Sequence, residues 1–167
     1  MNLSLEELRE QIVELVPRLR RFARTLARDP HDADDLVQIA IERALTRSEQ
    51  LQPDSRLASW MFGILRNAWI DETRTRGRRN KIFVAAELGE NVGDSSGAHV
   101  DCLSVQDAMA RLPDEQRIAV GLVLVEGLSY KEAAEIMAVP IGTLTSRLAR
   151  GRDALQAMLA ETTGAPR

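Results

Sequence analysis

The sequence predicts an all-α protein built of two small helical domains that a flexible linker joins. Aromatic residues make up 4% of the 167 residues, whereas β-strands favour aromatic and β-branched side chains. Hydrophobic residues make up 44%, which is enough for real cores in a chain of this length. Apolar residues recur at helical spacing before and after residues 82–103, and that segment has no such pattern. We therefore expect one helical block on each side of it.

The chain opens with the pattern of a helix N-terminus. Ser4 is followed three residues later by Glu7, as in a capping box, and apolar residues then recur at helical spacing. Pro17 either starts a second segment or kinks the first, because proline lacks the amide donor that a helix interior uses. The pattern stops before Asp29 and Pro30, since a residue that precedes proline disfavours the helical region.

Two further helices are predicted in the first block. Pro30 suits the first turn of a helix that runs to about Arg47, and a polar stretch, residues 48–55, follows it. Apolar residues from Leu57 onward then mark a helix that ends near Gly77. Residues 1–77 are therefore predicted to form a domain of three to four helices.

The segment between the blocks has the composition of a linker. Residues 82–103 contain four acidic residues and no basic residue. Gly89, Gly93 and Gly97 interrupt the segment, and glycine-rich polar chain favours flexibility. We therefore predict a flexible acidic linker over residues 78–103.

Residues 104–167 are predicted to form a second domain of four helices. Pro113 restarts a helix, and Gly127 ends it. Ser129 and Glu132 repeat the capping-box pattern at the start of a short helix. Residues 138–140 form a turn, and a longer basic helix follows. Two helices joined by a three-residue turn, the second one basic, predict a helix-turn-helix.

The basic helix carries side chains that can bind DNA in the major groove. Arg147 and Arg150 are three residues apart and share one face, where arginine can grip the edge of guanine. Hydroxyl groups that can contact bases or phosphates lie on the same helix at Thr143, Thr145 and Ser146. The alternative is that the arginines only solvate an amphipathic helix.

Four segments together resemble the extracytoplasmic-function (group IV) sigma factors of bacterial RNA polymerase. They are DADDLVQ (32–38), SWMFGILRN (59–67), LPDEQR (112–117) and LSYKEAAEIMAVPIGTLTSRLARGRDAL (128–155). The first two resemble sigma region 2, and the last two resemble region 4, in the order of that family. The resemblance implies a transcription initiation factor that delivers RNA polymerase to promoters.

The resemblance implies that core RNA polymerase binds the exposed face of the helix predicted to start at Pro30. The residues implied are Asp34, Asp35, Gln38 and Glu42, whose acidic and amide groups would face a basic surface of the core enzyme. For Asp34 the alternative is a role at the helix N-terminus, where the helix dipole favours negative charge.

Recognition of the promoter −10 element is implied for the loop 52–59 and the helix after it. The residues are Gln52, Ser55, Arg66, Asn67, Asp71 and Arg74, with Asn67 and Asp71 at a pocket for an unstacked base. Arg76, Arg78 and Arg79 extend a basic strip that either contacts phosphates or solvates a helix end. By the same resemblance, Thr143, Thr145, Ser146, Arg147 and Arg150 read the −35 element.

Two residues depart from the family pattern in the second domain. Thr145 replaces the arginine or lysine of many relatives, which removes a possible DNA contact. Ala138 stands in the turn where glycine is usual, and an alanine at positive φ is strained by roughly 1 kcal/mol. The −35 preference therefore stays open.

The implied partners are core RNA polymerase, promoter DNA and an anti-sigma factor. We expect no catalytic residue, no metal and no cofactor, because nucleophile, base and orienting group do not recur together, and two histidines, His31 and His99, beside the single Cys102 make no metal-ligand spacing. A single cysteine and the absence of a long apolar run predict a cytoplasmic protein with no membrane insertion. The main alternative is a sigma mimic that sequesters an anti-sigma factor. An ordinary helix-turn-helix repressor would not account for the sigma-like first block.

Overall fold

The computed structural model describes residues 3–86 and 104–163, with the backbone alone at 81–86 and 163. The described chain is helical and has no strand, which confirms the predicted all-α class. Three helices precede residues 87–103 and four follow them. They are α1 (Leu5–Leu26), α2 (Pro30–Thr46), α3 (Leu57–Ala86), α4 (Val105–Arg111), α5 (Asp114–Val120), α6 (Tyr130–Met137) and α7 (Ile141–Thr163).

The predicted capping boxes both form. The Ser4 hydroxyl oxygen accepts from the Glu7 amide over 3.2 Å, and the Ser4 amide donates to the Glu7 carboxylate over 2.8 Å. Ser129 and Glu132 repeat both bonds at the start of α6, at 3.2 Å and 3.0 Å. At α2, the Asp29 carboxylate accepts from the amide of His31, and Pro30 takes the first helical position. Local sequence rules thus set these three helix starts.

Helix α1 runs without a break through Pro17, so no second segment begins there. Residues on both sides of the proline are buried in the same core: Leu8 and Ile12 before it, and Leu19, Phe22, Ala23 and Leu26 after it. Proline removes one helical hydrogen bond, to the carbonyl of Val13, and Val13 is exposed to solvent. Water can therefore satisfy that carbonyl while the buried face keeps the helix together.

Helix α3 extends to Ala86 and does not end near Gly77. An isolated glycine costs a helix only about 1 kcal/mol relative to alanine, and residues 78–86 contain no proline. The first nine residues of the predicted linker are therefore helical. The rest of that prediction, residues 87–103, lies outside the described residues.

The second block contains the four predicted helices. Helix α5 continues into a π-helical turn, Gly121–Val125, which ends before Gly127 at φ +69°. Helices α6 and α7 are joined through Ala138, Val139 and Pro140, as a helix-turn-helix requires.

The two blocks pack against each other and share one continuous hydrophobic core. Phe22 of α1 meets Phe62 of α3 edge to face, with the ring centroids 5.4 Å apart. The Phe22 ring also approaches Gly121 so closely that a Cβ atom there would lie 3.0 Å from it. A larger residue at position 121 would therefore require the Phe22 ring to shift by a few tenths of an ångström.

A buried carboxylate joins the blocks electrostatically. The Glu126 side chain is fully buried and accepts from the Arg21 guanidinium over two bonds of 2.9 Å. Arg18 donates to the same carboxylate over 3.3 Å. This contact raises the pKa of Arg21, chiefly through its hydrogen bond to Glu126. Both arginines belong to α1, so the second block is anchored along one helix of the first.

A second anchor is Arg117 of α5, which is buried without a close carboxylate. Its guanidinium donates to the carbonyl oxygens of Met109, Ala110, Leu112 and Leu26, over 2.8 to 2.9 Å. Asp114 is more distant, at 3.7 Å, and burial lowers the pKa of Arg117. The bond to Leu26 ties α5 to the end of α1, while the other three hold the turn between α4 and α5.

Neither a membrane helix nor a metal cluster is found in the described ranges. None of their helices combines the length and apolar character that a membrane crossing requires. No group of three or more histidine, cysteine, aspartate or glutamate side chains is arranged there to hold a metal ion.

The turn of the helix-turn-helix contains the strain that the sequence predicts. Ala138 caps α6 in the left-handed conformation, at φ 53° and ψ 45°. We predict that Ala138→Gly raises the free energy of unfolding by roughly 1 kcal/mol, because glycine adopts this conformation without a Cβ clash. Urea unfolding of both proteins measures the difference. Ala110→Gly, inside α4, is the control and should destabilise; a loss of stability in Ala138→Gly as well would contradict the prediction.

Candidate functional site

Three of the four predicted polymerase contacts line one groove. Asp35, Gln38 and Glu42 are exposed on α2, and they border a groove of about 280 Å³. Trp69, Glu72 and Arg76 of α3 form its opposite wall. The lining holds four carboxylates, those of Asp32, Asp35, Glu42 and Glu72, against the one guanidinium of Arg76, so the groove is acidic overall.

Asp34 lies at the edge of this face and does not line the groove. Its carboxylate is 3.6 Å from Arg20 of α1, and the side chain is half exposed. Its alternative role at the helix N-terminus belongs instead to Asp32, which lies in the first turn of α2. Asp32 binds Arg76 of α3 at 2.9 Å. Asp34 is therefore the weakest member of the predicted set.

The predicted −10 loop borders a cleft between the two blocks. Ser55, Ser59 and Asn67 form one wall of this cleft of about 930 Å³, and α6 forms the other. Gln52 is separate from them, because it borders a smaller groove with the N-terminal residues of the chain. The structure therefore brings Ser55 and Asn67 together but does not bring Gln52 to them.

Acidic side chains of α6 face this loop across the cleft. Glu132 binds Arg56 of the loop at 2.7 Å, and Glu135 borders the same cleft. Hydrogen bonding to the backbone and side chain of Ser129 lowers the pKa of Glu132, so this carboxylate is ionised. In this arrangement the loop faces the negative charge of α6 across the cleft.

A second groove holds the remaining −10 residues. Arg66, Asn67, Asp71 and Arg74 line a groove of about 420 Å³ on α3. Arg43 of α2 and Arg47, which follows the last residue of α2, also line this groove. Neither was among the predicted site residues. They lie four residues apart on one face of a predicted helix, but only the packing of α2 on α3 turns that face to the groove.

Arg66 is half buried in this groove. Burial is the main cause of its lowered pKa, and the nearby positive charge of Arg147 adds to it. Its Nη1 donates to the side-chain oxygen of Asn67 over 3.2 Å, whereas its buried Nε has no partner among the described atoms.

The predicted basic strip divides along α3. Arg76 binds Asp32 at 2.9 Å and Glu72 at 3.4 Å, and the hydrogen bond to Asp32 is the main cause of its raised pKa. Arg74, Arg78 and Arg79 are exposed. Arg76 therefore serves the contact between α2 and α3, and the other three stay accessible to phosphates.

The recognition helix α7 presents its predicted residues unequally. Arg150 is exposed, whereas Arg147 is mostly covered and binds Glu115 of α5 at 2.9 Å. The hydroxyl groups of Thr145 and Ser146 are also exposed but donate to backbone carbonyls one turn earlier. Thr143 is half buried. Arg150 is thus the readiest of the set to contact DNA, and Arg147 must first leave Glu115.

Family models identify both blocks. Residues 12–79 match sigma-70 region 2, and residues 102–155 match sigma-70 region 4. The class that fold and sequence define is therefore that of the sigma-70 type initiation factors, with the acidic groove and the arginine-lined groove in region 2 and the helix-turn-helix in region 4.

Individual relatives narrow the class. The chain is 38% identical over 156 residues to the ECF RNA polymerase sigma factor EcfG of Rhodopseudomonas palustris, covering 92% of this chain and 86% of that protein. It is 36% identical over 143 residues to SigM of Mycobacterium tuberculosis, covering 84% and 71%. The chain belongs to the extracytoplasmic-function RNA polymerase sigma factors.

Solved structures share the fold. The sigma factor RpoE of Bartonella quintana, in complex with the anti-sigma factor NepR, is 32% identical, with a TM-score of 0.78 over 93% of this chain and 98% of that one. CnrH, in complex with the cytosolic domain of CnrY, shares the fold at 22% identity and a TM-score of 0.71, over 95% and 90%.

We predict that Arg150→Ala weakens binding of −35 DNA by on the order of 1 to 3 kcal/mol, because an exposed arginine can grip a base edge. Arg147→Ala should cost less, since Arg147 gives up Glu115 to bind. Fluorescence anisotropy on a set of −35 variants separates a base contact, which is lost on the preferred sequence alone, from a phosphate contact. Arg152→Ala is the matched control on another side of α7. If Arg150→Ala binds every −35 variant as tightly as the wild type does, Arg150 does not contact DNA and only solvates the exposed face of α7.

Proposed function

We propose that this chain binds core RNA polymerase in the cytoplasm and directs it to promoters, reading the −10 element with residues 1–77 and the −35 element with residues 104–167. The proposal rests on three surfaces that follow one another along a chain that both sigma-70 family models match. They are an acidic groove, an arginine-lined groove and the basic helix α7, on which Arg150 is exposed. Binding and positioning account for this function, and it needs no catalytic residue.

The acidic groove supports the polymerase contact. Asp35 and Glu42 are exposed carboxylates that flank Gln38 along α2, and a face of like charges attracts a partner of opposite charge. The arginines of the second groove have the complementary role toward DNA, because phosphates favour positive charge and an unstacked base favours a polar pocket.

Promoter binding requires the two blocks to move apart. In the packed arrangement α6 stands across the cleft from the −10 loop, and Arg147 is held by Glu115. A partner that stabilises this packing would therefore keep the chain from DNA. The similar RpoE structure contains an anti-sigma factor, and we propose that an anti-sigma factor binds this chain and stabilises its packed arrangement.

Run-off transcription with core polymerase tests the function directly. A promoter library with varied −10 and −35 elements should yield transcripts from a subset of promoters only when the chain is present. Binding of an anti-sigma factor without any promoter-dependent transcript would favour the alternative, a sigma mimic.

Asp35→Lys should weaken binding to core polymerase on the order of tenfold or more, because it places a like charge in an interface of complementary charges. The measurement is an affinity titration with core enzyme, with circular dichroism as the check on folding. Glu10→Lys makes the same charge change on the exposed side of α1 and is the matched control. Equal affinity of Asp35→Lys and the control would remove Asp35 from the interface.

Glu126→Gln should favour separation of the blocks on the order of tenfold, since hydrogen bonds to a charged group contribute about 1.5 to 3 kcal/mol each. Spin labels at exposed positions 10 and 156, in a chain with Cys102→Ser, report the distance between the blocks. Glu161→Gln removes an exposed carboxylate near the end of α7, in the same block, and is the control. If the distance distribution of Glu126→Gln matches that of the control, the buried carboxylate does not hold the blocks together.

A further inference from the structure

Two side chains of the arginine-lined groove, those of Asn67 and Asp71, each accept a hydrogen bond from an arginine. Asn67 and Asp71 lie one helical turn apart on α3. Arg66 donates to the side-chain oxygen of Asn67 over 3.2 Å. Arg43, from α2, donates to Oδ2 of Asp71 over 2.9 Å. The orientation of both polar groups thus depends on their arginine neighbours.

The chemistry of guanidinium determines which atoms stay free. Arginine can donate hydrogen bonds but cannot accept them. Because Asn67 receives its bond on oxygen, its amide nitrogen keeps two N–H donors. Because Asp71 receives its bond on Oδ2, the other carboxylate oxygen keeps its lone pairs for a ligand. The groove therefore offers a donor and an acceptor one turn apart, which suits the edge of an unstacked base.

We propose that Arg43 is a positioning residue for −10 recognition, which holds the Asp71 carboxylate in the orientation that accepts a hydrogen bond from an extruded base. This inference rests on the proposed function. The Asp71 side chain is 57% exposed and the Arg43 side chain 31%, so the carboxylate is the more accessible of the pair. Arg43 acts through Asp71 and needs no contact of its own with the base.

A purely structural role for this ion pair is the competing explanation. Arg43 and Asp71 join α2 to α3, and partly exposed ion pairs of this kind contribute little to stability. The same two helices carry a second pair, Arg76 with Asp32, at the same 2.9 Å but in the acidic groove. The second pair supplies a matched control, because it shares the helices and the chemistry but not the site.

The test compares base preferences in polymerase holoenzyme reconstituted with each variant. Transcription is measured from promoters that carry each base at every −10 position, with one −35 element, and the ratio between bases is the readout. Arg43→Met should reduce the preference at one position about fivefold or more, the scale of one specific side-chain contact to a base. Asp71→Asn should affect the same position, and Arg43→Lys should retain part of the preference, since an ammonium group can still donate to Oδ2.

Arg76→Met should keep the wild-type ratios even where polymerase binding changes. Unchanged ratios in Arg43→Met, or an equal loss at every position, would overturn the inference. If Arg43→Met does not fold, Arg43→Lys and Asp71→Asn decide, and wild-type ratios in Asp71→Asn would overturn it. A wild-type chain without promoter-dependent transcription would instead refute the proposed function itself.

Discussion

The packing of the two blocks depends on one buried carboxylate. Glu126 is withdrawn from water, and a buried charge is tolerated only with compensating partners, which Arg18 and Arg21 supply from α1. The arginines keep part of their surface in water, so their own desolvation is small. Removing one of these charged side chains is therefore costly, because a charge is then left buried without its partner. Separating the blocks costs less, because water then solvates all three side chains. Such a contact suits an interface that must be specific when closed and must still open.

The rest of the interface has the same mixed character. Phe22 packs against both Phe62 and Gly121, which is ordinary core packing, while Arg117 crosses the boundary with a hydrogen bond to a carbonyl. Separating the blocks would expose the apolar contact and leave that carbonyl to water. A protein or DNA surface that covers the same atoms would compensate for the loss. The functional surfaces are therefore coupled to the fold through the contacts that hide them.

Local chemistry was predictable from the sequence, and long-range packing was not. Ser4 and Ser129 act on atoms a few residues away, so their caps could be inferred from spacing alone, whereas the left-handed turn at Ala138 was expected from the family resemblance. The continuation of α3 past Gly77 was missed because a small local penalty yields to the rest of the helix. Arg21 and Glu126 are 105 positions apart, and no periodicity connects them. Arg43 was missed for the same reason, since its partner lies on another helix.

The length of α3 also limits how far the blocks can travel. Residues 78–86 belong to α3, so they add helical length and not extended chain between the blocks. A helix rises about 1.5 Å per residue, or roughly 14 Å for these residues, whereas the same residues fully extended would span roughly 32 Å. In the separated arrangement that we propose, the helical start of this segment therefore shortens the distance available to the blocks by roughly 18 Å.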